Sequence, residues 1–301
     1  MSKPNKSDQV IRTPFIKQGW LRVVLFGISF IPLTLLILTP ALLILVSVNH
    51  IDWKAQPASG LTNLILGNYL WLAVLLEAII VGINIWLFRK FVDRKSLTSL
   101  GLGLSGYETE AITGFLMGPA LLGIAALALL LSGHLQWQDI NFDPTSLTIS
   151  LGMLILVAFS EELIFRGYIL SNLMDTFANK WVALAISSGL FAILHLTNHG
   201  MNSLAFVNLI LAGMLLGVNY IFTKNLWFSF TFHLSWNFFQ GPLLGFHVSG
   251  LSMPSLLLME TKGDAMITGG DFGLEGSIVN TAVSVAAILI LGWAFEKKYS
   301  R

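Results

Sequence analysis

The chain of 301 residues contains no cysteine. Disulfides, thiolate metal ligands and a cysteine nucleophile are thereby excluded. Charge is scarce too: 11% of the residues are Asp, Glu, Lys or Arg, against roughly 25% in a soluble domain. A net charge of +1 marks out no strongly acidic or basic partner, and nothing in the sequence calls for nucleic acid. Internal repeats and low-complexity tracts are missing, and too little chain lies outside the apolar runs to build a separate globular domain. What remains is hydrophobic: 55% of the residues, with a mean hydropathy of +0.76. The expected fold class is all-α, a polytopic bundle of membrane helices with the lipid bilayer as its solvent.

A helix needs roughly 17–25 apolar residues to cross the hydrocarbon core. Eight segments qualify: 21–48, 64–88, 110–132, 146–169, 181–198, 203–222, 226–246 and 277–295. The polar, basic start of the chain leads into an apolar run longer than the roughly 7–15 residues of a signal-peptide core, so 21–48 reads as a retained span. Pro32 and Pro40 are expected to kink it, and Pro119 the third span. With eight crossings, Lys3, Lys6, Arg12, Lys17, Arg22, Arg89, Lys90, Arg94, Lys95, Arg166, Lys180, Lys224, Lys297, Lys298 and Arg301 fall on one side. Only Lys54 and Lys262 fall on the other. The positive-inside rule then places both termini in the cytoplasm. The opposite side receives loops 49–63 and 133–145, a tight turn at Asn198–Asn202, and a long Gly-rich loop over 247–276. The chain divides into a tail (1–20), accessory spans (21–145), a core (146–246), the long loop (247–276) and a last helix with a basic tail (277–301).

Charge reappears inside the fourth span, as Ser160-Glu161-Glu162-Leu163-Ile164-Phe165-Arg166-Gly167. A charge at membrane depth costs roughly 3 kcal/mol or more, so it needs a partner and a use. Residues four apart share a helix face, which makes Arg166 the neighbour of Glu162. Glu161 projects about 100° away and is left to face a cavity as a general base. Phe191 and His195 in the fifth span are again four apart, as are His233 and Asn237 in the seventh. The last pair can donate hydrogen bonds to one acceptor, the geometry wanted for a developing oxyanion. Taken singly, each of these has a plain structural reading: a buried ion pair pinning two helices, a packed histidine, an interhelical clamp. Taken together they form a water-activation set, with Glu161 and His195 holding and deprotonating water and His233 and Asn237 stabilising the tetrahedral intermediate. Amide hydrolysis inside the membrane is the reaction the set suggests. Glu161, His195 and His233 also make a donor set for a divalent metal such as zinc with an open position, although no H-E-x-x-H places two ligands on one helix. A metal-bound and a metal-free water both stand. Glu77 in the second span is a remaining membrane acid. Gly213 and Gly217 in the sixth make a small-x-x-x-small packing face.

Glu161-Glu162-x-x-x-Arg166, Phe191-x-x-x-His195 and His233-x-x-x-Asn237, in this order, resemble the motifs of the CAAX protease and bacteriocin-processing (CPBP) family, which includes the Ras-converting CAAX prenyl endopeptidases. The surrounding stretches EELIFRGYIL, SGLFAILHLTN and LAGMLLGVNYIFTKNLWFSFTFHLSWNF resemble it as well. The likeness covers about 150–240. It implies an eight-helix intramembrane endopeptidase, multi-pass in a plasma or bacterial inner membrane. Glu161 would be the base, His195 its partner, His233 and Asn237 the oxyanion site, and Glu162, Arg166 and Phe191 supporting residues. The expected partner is a membrane-associated peptide or protein, prenylated CAAX-type or bacteriocin-related. The family has been described both as metalloproteases and as glutamate enzymes without metal. Two other classes compete: a non-catalytic immunity or peptide-binding protein on the same scaffold, and a proton-relaying transporter. The transporter predicts paired discontinuous helices in two halves, and the sequence has no such symmetry.

One expectation is a mismatch of depth. His195 lies about 14 positions, or ~21 Å at 1.5 Å per residue, from the start of the fifth span, whereas His233 lies about seven from the start of the seventh. Tilted helices or a later start to the fifth span would be needed to bring them level.

Overall fold

The structure is a computed structural model and describes residues 13–299 apart from 49–68. The expectations for Lys3, Lys6, Arg12, Lys54, Arg301, the 49–63 loop and the start of the second span lie outside the described residues.

Eight helical segments carry the fold. They are α1 (Gly19–Val48), α2 (Leu70–Leu87), α3 (Glu108–Leu131), α4 (Pro144–Glu162), α5 (Lys180–Leu194), α6 (Ser203–Gly217), α7 (Trp227–Phe238) and α8 (Ile278–Tyr299). Six are long and apolar enough to cross a membrane, α2, α4 and α6 being counted with their extensions to Asp93, Met174 and Thr223. All eight expected spans contain a helix, but among the described residues only six reach membrane length: α5 has 15 residues and α7 has 12 before its π-turn. At 1.5 Å per residue α5 covers about 22 Å, less than the roughly 30 Å of a hydrocarbon core. Pro32, Pro40 and Pro119 lie inside helices that continue through them.

The starts of the central helices are fixed by local chemistry. Asp143 caps α4 by accepting from the amides of Thr145 and Ser146, with Pro144 in the first turn, where its missing N–H costs nothing. Asn179 caps α5 and Asn202 caps α6 in the same way. Three helices widen into π-turns at their ends, over Phe88–Asp93, Leu163–Leu170 and Phe239–Leu243. Such turns recur at functional positions, and the second follows the paired glutamates directly.

Glycines set the closest helix contacts. A Cβ on Gly114 or Gly118 of α3 would run into Phe228 or into Ser235 and Trp236 on α7, and these two helices pack extensively. Gly213 sits against Ser188 of α5, and Gly217 against Leu184, so the small-residue face of α6 is a packing face for α5.

The seventh helix explains the depth mismatch. The connection between α2 and α3 tucks beneath its start: the amide of Leu226 donates to the Gly101 carbonyl (3.0 Å), Trp227 Nε1 to Leu102 O (3.0 Å) and Asn225 Nδ2 to Gly103 O (2.6 Å). Leu226 packs beside Gly167, within the extended α4. The helix thus begins well inside the bundle, and two turns bring His233 alongside the glutamates. A later start to α5 is not the solution, since α5 begins at Lys180.

The described residues are mostly helical, as expected, with one two-stranded sheet beside the helices. Strands β1 (Leu135–Ile140) and β2 (Leu257–Thr261) pair antiparallel, from Leu135 opposite Thr261 to Ile140 opposite Leu257, with an irregularity between Trp137 and Asp139. The partners are some 120 residues apart, so each strand alone reads as loop. The 247–276 segment is therefore built structure, with β2 and short helical turns at Ala265–Thr268, Gly270–Phe272 and Leu274–Gly276.

Candidate active site

Glu161, His195, His233 and Asn237 line one cavity of about 430 Å³. Its walls come from α2 (Leu70, Val74), α4 (Met153, Leu154, Val157), α6 (Leu209, Ala212) and α7 (Phe232, Trp236). The cavity is mostly apolar with a few converging polar groups, as expected of a small-ligand or peptide site.

The paired glutamates face different surroundings. Glu162 is fully enclosed, and its Oε1 accepts from Arg166 Nη1 (2.8 Å) and from His233 Nδ1 (2.9 Å). Glu161 keeps 21% of its side chain accessible at the cavity wall, with Oε2 3.9 Å from His233 Nε2. The i,i+4 spacing made the Glu162–Arg166 pair legible. The Glu162–His233 bond was not, because it joins helices whose relative depth the sequence does not fix. Arg166 is completed by Nη2 donating to Gly213 O (3.0 Å) and by the Phe191 ring, 5.2 Å from Cζ.

His195 follows the last residue of α5, at the helix C-cap. Its Nδ1 donates to the Phe191 carbonyl (2.7 Å). A carbonyl can only accept, so the neutral ring has its proton on Nδ1 and a lone pair on Nε2. Phe191 wedges between the two histidines and Arg166: its ring centroid is 4.5 Å from that of His195 and 6.4 Å from that of His233. The Phe191-x-x-x-His195 spacing thus serves both to seat the imidazole and to cover the guanidinium.

His233 and Asn237 sit one turn apart on α7 and are both nearly buried. The Asn237 side chain has no hydrogen-bond partner among the described residues and borders the cavity, which leaves its amide hydrogens to a ligand there. Among the described residues no three His, Asp or Glu side chains come together as a metal-binding group. Glu161, His195 and His233 are not gathered into such a group.

Several wall residues escaped the sequence reading. The 247–276 segment folds back so that Val248, Ser249, Gly250, Leu251 and Met253 face the cavity. Glu275 holds it there, accepting from Trp236 Nε1 (3.0 Å) and from the amide and hydroxyl of Ser249 (both 2.7 Å). Asn198 Nδ2 donates to Ser249 O (2.9 Å) and ties the turn after α5 to the same strap. Asn208 lines the cavity too, with Nδ2 donating to the Glu275 and Ser277 carbonyls. None of these makes a short-range spacing pattern. Glu77 does not line the cavity, but it lies within electrostatic reach of Glu161 and His195.

Compared with known proteins, residues 143–239 match the family model described as type II CAAX prenyl endopeptidase Rce1-like. The match covers about a third of the chain and contains all four cavity residues named first above. No curated protein and no solved structure matches the chain.

Proposed function

We propose that this chain, which carries a type II CAAX prenyl endopeptidase Rce1-like domain over residues 143–239, is an intramembrane endopeptidase acting through water activated by Glu161 and His195. The observation that carries the reading is the convergence of Glu161, His195, His233 and Asn237, from three helices, on one largely apolar cavity.

The chemistry follows from the donors and acceptors. Water placed between Glu161 and the bare Nε2 of His195 donates a hydrogen to each, which aims an oxygen lone pair at a peptide carbonyl. As the C–O bond forms, Glu161 takes the proton and the carbonyl π electrons move to oxygen. Asn237 Nδ2 and a proton on His233 Nε2 receive that oxyanion. His233 Nδ1 donates to Glu162, so in this step the ring carries both protons, with a carboxylate beside each nitrogen. Collapse of the intermediate breaks the C–N bond, and Glu161 returns its proton to the leaving amine. General acid–base transfer of this kind contributes about 10²–10⁴-fold, and an oxyanion donor about 10²–10³-fold.

Eight crossings with both termini in the cytoplasm remain our topology. The short α5 and α7 complete their crossings through the turn after His195 and the π-turn over Phe239–Leu243. The substrate class is a peptide held in the membrane, with prenylated CAAX-type and bacteriocin-related peptides as the candidates. Purified protein in detergent, incubated with a membrane-peptide library, tests the reading. Wild type is expected to cleave and His195→Ala to lose about 10²-fold or more, with no change on chelation. Binding without cleavage by wild type would favour a non-catalytic peptide-binding protein.

A further inference from the structure

The end of α2 carries a second hollow, of about 410 Å³, far in character from the catalytic cavity. Its walls supply four cations, Arg89, Lys90, Arg94 and Lys95, the hydroxyls of Ser96 and Thr98 and, among the described residues, no carboxylate. The nearby acids are already engaged. Asp93 is paired with Arg22 and Arg89, and Asp175 with Arg22 and Lys95. Lys90 and Arg94 have no acidic partner among the described residues. Lys90 Nζ lies 4.7 Å from the Trp86 ring, and Arg94 Cζ lies 5.7 Å from the Phe15 ring. Arg94 adopts the left-handed conformation that ends the π-turn (φ 56°), and its amide caps the Arg89 carbonyl. The chain therefore folds back, setting Lys95, Ser96 and Thr98 across from Lys90, while that helix-end carbonyl is occupied.

The hollow is continuous with apolar surface. Leu75, Ile79, Ile83 and Trp86 are all exposed and recur every three to four residues, which makes one outward stripe along α2. Gly82 on the same face leaves open space. Trp86 belongs to both features, ending the stripe and walling the hollow. An aromatic residue where an apolar helix meets a basic cluster is the signature of the membrane–water boundary.

We propose that this hollow binds the phosphate headgroup of an anionic phospholipid, with an acyl chain lying along the Leu75–Ile79–Ile83–Trp86 stripe. A free phosphate would use the cations and hydroxyls alone; the stripe selects the lipid. The assignment stands independently of the proteolytic reading. Arg89 joins the hollow to the polar cluster that anchors α1 and the extended α4, since it pairs with Asp93, which is also reached by Arg22 and the Tyr168 hydroxyl.

Native mass spectrometry of the purified full chain tests it, with three probes: short-chain phosphatidylglycerol, the matched phosphatidylcholine, and inorganic phosphate. Phosphatidylglycerol is expected to bind best. A basic residue at such a surface is worth about fivefold in affinity, so Lys90→Gln alone should lose about fivefold and K90Q/R94Q about 30-fold. Both side chains are exposed, so far-UV circular dichroism and melting should match wild type. Lys297→Gln, a cation at the end of α8 outside the hollow, should bind like wild type. Undiminished binding of phosphatidylglycerol by both Lys90→Gln and K90Q/R94Q would overturn the assignment, as would equal binding of the two lipids. Displacement of phosphatidylglycerol by an equal concentration of inorganic phosphate would reassign the hollow to a free anion.

Discussion

Glu162→Ala isolates the buried network under the site. Glu162 is fully enclosed and, among the described residues, is the sole carboxylate within hydrogen-bonding distance of Arg166. Removing it strands the guanidinium with only the Gly213 carbonyl and the Phe191 ring, and deprives His233 Nδ1 of its acceptor. Breaking a buried ion pair from one side costs about 3–5 kcal/mol, because a charge is left uncompensated. Against a typical total stability of 5–15 kcal/mol, the variant should fold poorly or melt early. Replacing both members by apolar residues of similar volume is often close to neutral. The double variant E162A/R166M should therefore regain part of the loss, leaving the unpartnered His233 nitrogen as the remaining penalty. Equilibrium unfolding in detergent micelles, followed by circular dichroism for wild type, both single variants and the double, completes the cycle. A coupling of about 0.5–3 kcal/mol is expected for residues in direct contact. Simple additivity, or a Glu162→Ala variant within 0.5 kcal/mol of wild type, would refute the network.

Further outcomes follow from other contacts. Gly118→Ala should cost about 1–3 kcal/mol, because the new methyl group meets Ser235 and the Trp236 backbone; it should also reduce turnover by displacing α7. Gly123→Ala on the same helix faces open space and should be neutral or slightly stabilising by melting. Asn237→Ala should leave the melting temperature near wild type and lower kcat about 10²–10³-fold with little change in KM, since the side chain bonds to no other described residue. The Asp143 carboxyl is held below the usual range by the Ser146 hydroxyl, the Ser146 amide and the Thr145 amide. Its folded value thus lies below the 3.8 of an unperturbed aspartate, so its stabilisation is complete above that pH and is lost as pH falls through the folded value. Acid unfolding of Asp143→Asn should lack this component; an unchanged acid profile would contradict the cap's role.

What could be read from the sequence followed from periodicity. The Glu162–Arg166 pair, the Phe191 seat of His195 and the shared face of His233 and Asn237 are all four-residue spacings within a helix. The apolar runs located every major helix among the described residues, but not the shortness of α5 and α7 within them. The rest depended on contacts between distant segments. The β1–β2 pair, the strap from Val248 to Met253 and its tether at Glu275 join residues with no local pattern between them. The late start of α7 is of the same kind. It is set by hydrogen bonds to Gly101, Leu102 and Gly103, more than a hundred positions upstream, and it is this start that carries His233 to Glu162.

The most direct test of the account is the rate of peptide cleavage by the protein in lipid vesicles, wild type against Glu161→Gln, with matched folding. The substitution keeps the shape of the side chain and removes only its capacity to take a proton from water. The account predicts a loss of about 10²–10⁴-fold in kcat with substrate binding retained. Equal rates for the two proteins would contradict it.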